Sequence, residues 1–185
     1  MKSWFKESAR IKTLLAETFS ESVNETATLL IKALQKEGKI LICGNGGSAA
    51  DAQHFAAELV GRFKRDRSPL AALALTTDTS ILTAVGNDFE YDKVYQQQVE
   101  ALAKKNDILV VLSTSGNSKN IVRAISAAKA RGIKTIALLG RDGGQILGLS
   151  DYSIVVPAQG SDRIQEGHIT IIHIWCDLIE NAMFP

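Results

Sequence analysis

The stretch Ile108-Leu109-Val110-Val111-Leu112-Ser113-Thr114-Ser115-Gly116-Asn117-Ser118 decides the fold. Its first five residues are apolar without a break. A run with no polar face predicts a strand buried on both sides, as in a parallel sheet. The run stops at a loop that holds four hydroxyls in six residues: Ser113, Thr114, Ser115 and Ser118. Gly116 lets that loop turn tightly. Ser118 stands where it would cap a helix over 118–131, which ends at Gly132. Hydroxyls, backbone N–H groups and the positive helix end then converge on one point, an anion site that needs no Lys or Arg. The plainer alternative is a Ser-capped turn without a ligand.

The same strand-then-helix grammar continues in both directions. Apolar runs at 39–43, 70–75, 135–139 and 153–156 predict four more strands. Helical patterns over 48–60 and 161–182 alternate with them, and residues 3–37, free of Gly and Pro, predict one long helix or two consecutive ones. Five buried strands in 185 residues make a single α/β, doubly wound, three-layer domain with an N-terminal helical segment. Such folds bind ligands beyond the carboxyl ends of their strands. Two Gly/Ser-rich loops lie there, Gly44 to Ser48 and Ser113 to Ser118.

Bulk composition excludes several classes. Hydrophobic residues make up 45% and charged residues 22%, with a net charge of +1, which gives no reason to expect a nucleic-acid or membrane surface. No secretory pattern opens the chain and no apolar run approaches a membrane span. Cys43 and Cys176 sit in apolar stretches, as buried free thiols in a reducing cytoplasm would. The basic cluster Arg62 to Arg67 includes an acid and reads as a solvated loop or a subunit contact. A nucleotide site is the competing reading, and a small phosphorylated ligand suits the loop better. No G-x-x-x-x-G-K-[ST] is present, and Gly44-Asn45-Gly46-Gly47-Ser48 is not G-x-G-x-x-G.

Two helices carry candidate chemistry. His54 and Glu58, four residues apart, share one helix face about 6 Å apart along the axis, where one metal could accept both. A surface hydrogen bond is the plainer reading. The last helix places His168 and His173 in an otherwise apolar stretch, where an imidazole must be hydrogen-bonded or bound.

Taken together, Cys43 to Ser48, Asp51 to Leu59, Gly86-Asn87-Asp88, Ser113 to Ser118, and Asp162 to Glu166 with His173 resemble the phosphoheptose isomerase family of the sugar isomerase (SIS) fold. The resemblance runs in matching order from about residue 38 to the C-terminus. It implies a flavodoxin-like strand order and a cytoplasmic homotetramer with active sites between subunits, the 1–37 helices serving oligomerisation around a 38–185 core. The implied reaction converts sedoheptulose 7-phosphate to D-glycero-D-manno-heptose 7-phosphate through an enediol, the first step of nucleotide-activated heptose biosynthesis, which can serve lipopolysaccharide. Glu58 is the implied base and His173 the implied acid. One zinc ion per subunit is implied, held by His54, Glu58, Gln165 and His173. Asn45, Gly46, Gly47, Ser48, Glu58, Asn87, Asp88, Ser113, Thr114, Ser115, Ser118, Asp162 and Gln165 are the implied substrate contacts. Asn45-Gly46-Gly47 also reads as a plain turn, Asp88 as a loop cap and Asp162 as the N-cap of the last helix.

One spacing resists that ligand set. Gln165 and His173 are eight residues apart, about 12 Å on a straight helix. Both reach one ion only if Gln165 precedes the regular helix or a second subunit contributes. A non-catalytic branch resembling this chain binds the replication initiator protein. It carries Thr, Arg and Asn where this chain has Gly47, Ser115 and His173, so the enzyme reading is preferred. A phosphosugar-sensing regulator would need a DNA-binding segment, which residues 1–37 do not suggest.

Overall fold

The structure, a computed structural model, describes residues 1–185. Helix α1 (Lys2–Gln35) is one continuous 34-residue helix, which settles the one-or-two question. Strand β1 (Ile40–Gly44) leads into α2 (Gly47–Val60), and β2 (Ala72–Ala74) is shorter than its sequence suggests. Two helices follow that the sequence did not announce, α3 (Thr79–Asp88) and α4 (Val94–Leu102). Then come β3 (Ile108–Ser113), α5 (Lys119–Ala130), β4 (Lys134–Gly140), β5 (Tyr152–Val156) and α6 (Ser161–Met183).

All pairings are parallel, in the order β2-β1-β3-β4-β5. Ile40 lies beside Ile108 and Gly44 beside Leu112, so β1 and β3 start level and β3 runs one residue further, to Ser113. The period of two along each strand divides the core in two. Ile40, Ile42, Val110, Leu112, Ile136 and Leu138 pack under α1, α2 and α6. Leu41, Cys43, Leu109, Val111, Ala137 and Leu139 pack under α4 and α5. Hence β1 exits through α2 on one face while β3 exits through α5 on the other. The crevice between their carboxyl ends is the topological switch point.

α6 is braced against α1 through Trp175, which is fully buried. Its indole N–H donates to the Val23 carbonyl (3.2 Å) and the Thr26 hydroxyl (3.1 Å). A buried aromatic of that size is worth about 3–5 kcal/mol by large-to-small truncation. No helix is long and apolar enough to cross a membrane.

Candidate active site

Three helices begin around the switch point, and no side chain caps any of them. Gly46 precedes α2, Ser118 precedes α5 and Gly160 precedes α6. Ser118 therefore holds the N-cap position the sequence predicts, but its hydroxyl does not cap; it faces the Ser113 hydroxyl at 3.5 Å. Asp162 is not the cap of α6 either. Gly160 is, and Asp162 is exposed in the first turn. Cross-links gather the loops. Thr114 and Ser161 hydroxyls are 3.3 Å apart. The Asn45 and Asn120 amides exchange hydrogen bonds of 2.9 and 2.8 Å. Uncapped helix starts present free N–H groups and positive dipole ends, the setting that favours an anion.

Within the loop, Ser113 Oγ accepts from Gly116 N (3.1 Å) and Ser115 Oγ from Asn117 N (3.2 Å). Gly116 has φ +65°, and a Cβ there would strike the Gly143 carbonyl. No other residue type fits that position. Ser48 is buried at the start of α2.

Beyond the loop, a second cluster of candidate residues lies further along α2 and α6. His54 Nε2 is 2.9 Å from Glu58 Oε1 and 3.3 Å from His173 Nε2. The three ligand atoms all lie within 4.8 Å of one another. Phe63 stacks on the His173 ring at 5.6 Å, with the planes 28° apart. Burial first, and then the neighbouring His54, lower the His173 pKa, while Glu58 opposes them. Two imidazoles and a carboxylate form the donor set of a zinc-type site. Two Nε2 atoms facing each other at this distance share at most one proton, which leaves a lone pair for a cation. His54, Glu58 and His173 fit a metal on these grounds.

Gln165 does not join them. It lies inside the regular helix α6, so the idea that it precedes the helix fails. Its amide rests against Gly47, where a Cβ would lie 2.5 Å from Gln165 Nε2. His168 is also set apart. It is fully buried, with Nε2 3.0 Å from the Leu139 carbonyl and Nδ1 unpartnered. Burial pulls its pKa down to about 4, which the Leu139 hydrogen bond only partly opposes. It is a neutral core histidine.

Asn87 and Asp88 end α3 in the open, and the Asn87 amide donates to Asp88 (2.9 Å). Asp88 is thus the last residue of a helix, not a loop cap. The turn after α3 is tied to the Gly-rich loop by Tyr91, whose hydroxyl donates to Asn45 Oδ1 at 3.3 Å. Asn45 uses its amide mainly on Asn120, which narrows its capacity for a sugar.

The sequence reading missed Asp51, Asn120 and Tyr91. Asp51 sits one helical turn before His54, and one of its carboxylate oxygens is buried without a partner. Burial raises its pKa to about 6, against the pull of His54. The i, i+3 spacing to His54 was its only signal. Most of the basic cluster is the exposed loop the sequence predicts, with Arg62, Lys64, Arg65 and Asp66 in the open, but Arg67 is not. Lys64 pairs with Asp177 at 2.8 Å, and the Arg67 and Glu180 side chains are 2% and 3% exposed with 3.2 Å between them.

Comparison with known proteins agrees with this architecture. The SIS domain family matches residues 3–140. The chain is 57% identical to the phosphoheptose isomerase of Helicobacter pylori (strain Shi470) over 164 residues, covering 89% of this chain and 85% of that protein. It is 59% identical to the phosphoheptose isomerase of Geobacter sulfurreducens over 159 residues, 86% and 84% of the two chains. The solved phosphoheptose isomerase GmhA from Neisseria gonorrhoeae superimposes with a TM-score of 0.92 at 49% identity, covering 97% of this chain and 96% of that one. The chain belongs to the SIS domain family, in its phosphoheptose isomerase branch.

Proposed function

We propose that this protein isomerises sedoheptulose 7-phosphate to D-glycero-D-manno-heptose 7-phosphate. The observation that carries the chemistry is the convergence of His54, Glu58 and His173 on one point. Ser48, Ser113, Thr114, Ser115 and Ser118 hold the phosphate. A ketose becomes an aldose when one proton moves from C1 to C2 through an enediol. Glu58 takes the C1 proton as His173 protonates the C2 oxygen. Glu58 then returns its proton to C2 while His173 removes the proton from the C1 hydroxyl. His54, Glu58 and His173 would hold a divalent cation, zinc by donor type, one per subunit, and the contacts of Glu58 and His173 to it would loosen as substrate binds so that both can carry protons. When bound, that ion supplies Lewis-acid stabilisation of the enediolate oxygens. Glu58 faces His54 through Oε1, which leaves its second oxygen for the proton.

Asp88, Asn87 and Asp162 complete the sugar contacts, with Asp162 assisting ring opening. Gln165 serves the metal of a second copy, because in its own chain it rests on Gly47. An assembly with shared sites, a homotetramer, fits the apolar residues that α1 leaves exposed, Trp4 and Phe5. They border a hollow of about 750 Å³ that reaches Arg163 and Glu166 on α6. The buried free thiols of Cys43 and Cys176 suit a reducing cytoplasm.

The test is conversion of sedoheptulose 7-phosphate by purified protein, with zinc and with chelator. Product with zinc and none with chelator supports the reading. No product in either condition sinks it.

A further inference from the structure

Arg67 is the enclosed cation of the 62–67 segment, and its guanidinium serves five acceptors. Nε donates to Glu180 Oε1 (3.2 Å). Nη2 donates to the backbone carbonyl of Glu58 (2.7 Å). Nη1 donates to the carbonyls of Leu59 (2.8 Å), Gly61 (3.3 Å) and Ser68 (3.1 Å). Glu58, Leu59 and Gly61 are the carboxyl end of α2, where a helix leaves carbonyls without partners. α2 has no basic residue of its own in its last turn. Arg67 arrives from the following loop and supplies the missing cap and the cation that a helix carboxyl end favours.

Glu180 fixes Arg67 in turn. Its carboxylate accepts the backbone N–H groups of Lys64 (2.8 Å) and Arg65 (3.2 Å) as well as Arg67. Glu180 belongs to α6, seven residues beyond His173. The pair therefore ties the last turn of the helix that carries His54 and Glu58 to the helix that carries His173. A buried ion pair gives little net stability compared with apolar groups of the same size. The fork of Arg67 across four carbonyls is a matter of geometry, which a lysine cannot reproduce.

We propose that Arg67, held by Glu180, is a positioning residue: it fixes the last turn of α2 so that Glu58 and His54 stay in register with His173. The inference rests on the reading of those three residues as the working site. Arg67 touches no substrate and acts only through the placement of Glu58.

The test compares wild type with Arg67→Met/Glu180→Leu and with Arg67→Lys. The double variant removes both charges together, so no unpaired charge is left in the interior. Zinc affinity is measured by competition with a chromophoric chelator, alongside kcat and KM. Zinc affinity and kcat of the folded double variant should each fall about 10- to 100-fold, the usual effect of losing an outer partner of a metal ligand. KM should stay within about twofold. A folded double variant with wild-type zinc affinity and kcat would overturn the proposal. If that variant does not fold, Arg67→Lys decides. It keeps the charge beside Glu180 but not the fork, and undiminished zinc affinity there overturns the proposal too. Wild-type protein that binds zinc but converts no heptose phosphate defeats the isomerase reading instead, and the zinc comparison still decides the role of Arg67.

Discussion

His54 Nε2 on α2 and His173 Nε2 on α6 lie 3.3 Å apart, although 119 residues separate them in the chain. At most one proton fits between them, and Glu58 closes the third side. Replacing His173 by Asn should abolish tight zinc binding and lower kcat about 10²- to 10⁴-fold, the range for removing a positioned acid or base. Far-ultraviolet circular dichroism should stay unchanged. Wild-type zinc affinity in that variant would show that the triad is not the metal site.

Two glycines should fail in different ways. The atoms nearest a Cβ at Gly47 all belong to the flexible end of Gln165, so Gly47→Ala should cost under about 1 kcal/mol of stability. It should nevertheless lower kcat/KM, because Gln165 is displaced. A Cβ at Gly116 meets the Gly143 backbone from a left-handed conformation. Gly116→Ala should therefore cost at least about 2 kcal/mol. Thermal denaturation together with steady-state kinetics separates the two cases.

His168 should make the fold sensitive to acid. Its folded pKa is about 4, below an ordinary value of 6.5. The unfolded chain binds the proton more readily, so stability is full above 6.5 and is lost as pH falls towards 4. The loss from this group is about 3 kcal/mol. Urea midpoints at pH 7 and pH 4.5 should drop further for wild type than for His168→Gln, which cannot titrate. Equal drops would refute the assignment.

If Gln165 serves a neighbouring subunit's metal, two inactive variants should complement each other. Gln165→Ala mixed and reassembled with Glu58→Gln should regain measurable activity, because some sites then receive an intact Gln165 and an intact Glu58 from different chains. Mixtures as inactive as the separate variants would place each complete site within one chain.

Legibility in the sequence followed burial. β1, β3 and β4 were plain because nearly every residue in them is enclosed. α3 was not, because it is short and half-buried, with Ile81, Leu82 and Val85 as its whole apolar stripe and no residue fully enclosed. The His54/Glu58 pair was visible from its spacing on one helix. Asn120 was not, because its partner Asn45 lies 75 residues away. Arg67 read as solvated for the same reason, with Glu180 113 residues downstream. Ser118 shows the limit of a local rule. Its position was right, but its hydroxyl turns to Ser113 rather than to the helix.

The most direct measurement follows sedoheptulose 7-phosphate by NMR in the presence of zinc-loaded wild type and zinc-loaded Glu58→Gln. Wild type should form the aldose 7-phosphate. Glu58→Gln should still bind the phosphate with affinity close to wild type while turnover falls about 10²- to 10⁴-fold. Turnover by Glu58→Gln at a rate comparable to wild type would contradict the assignment of Glu58 as the base.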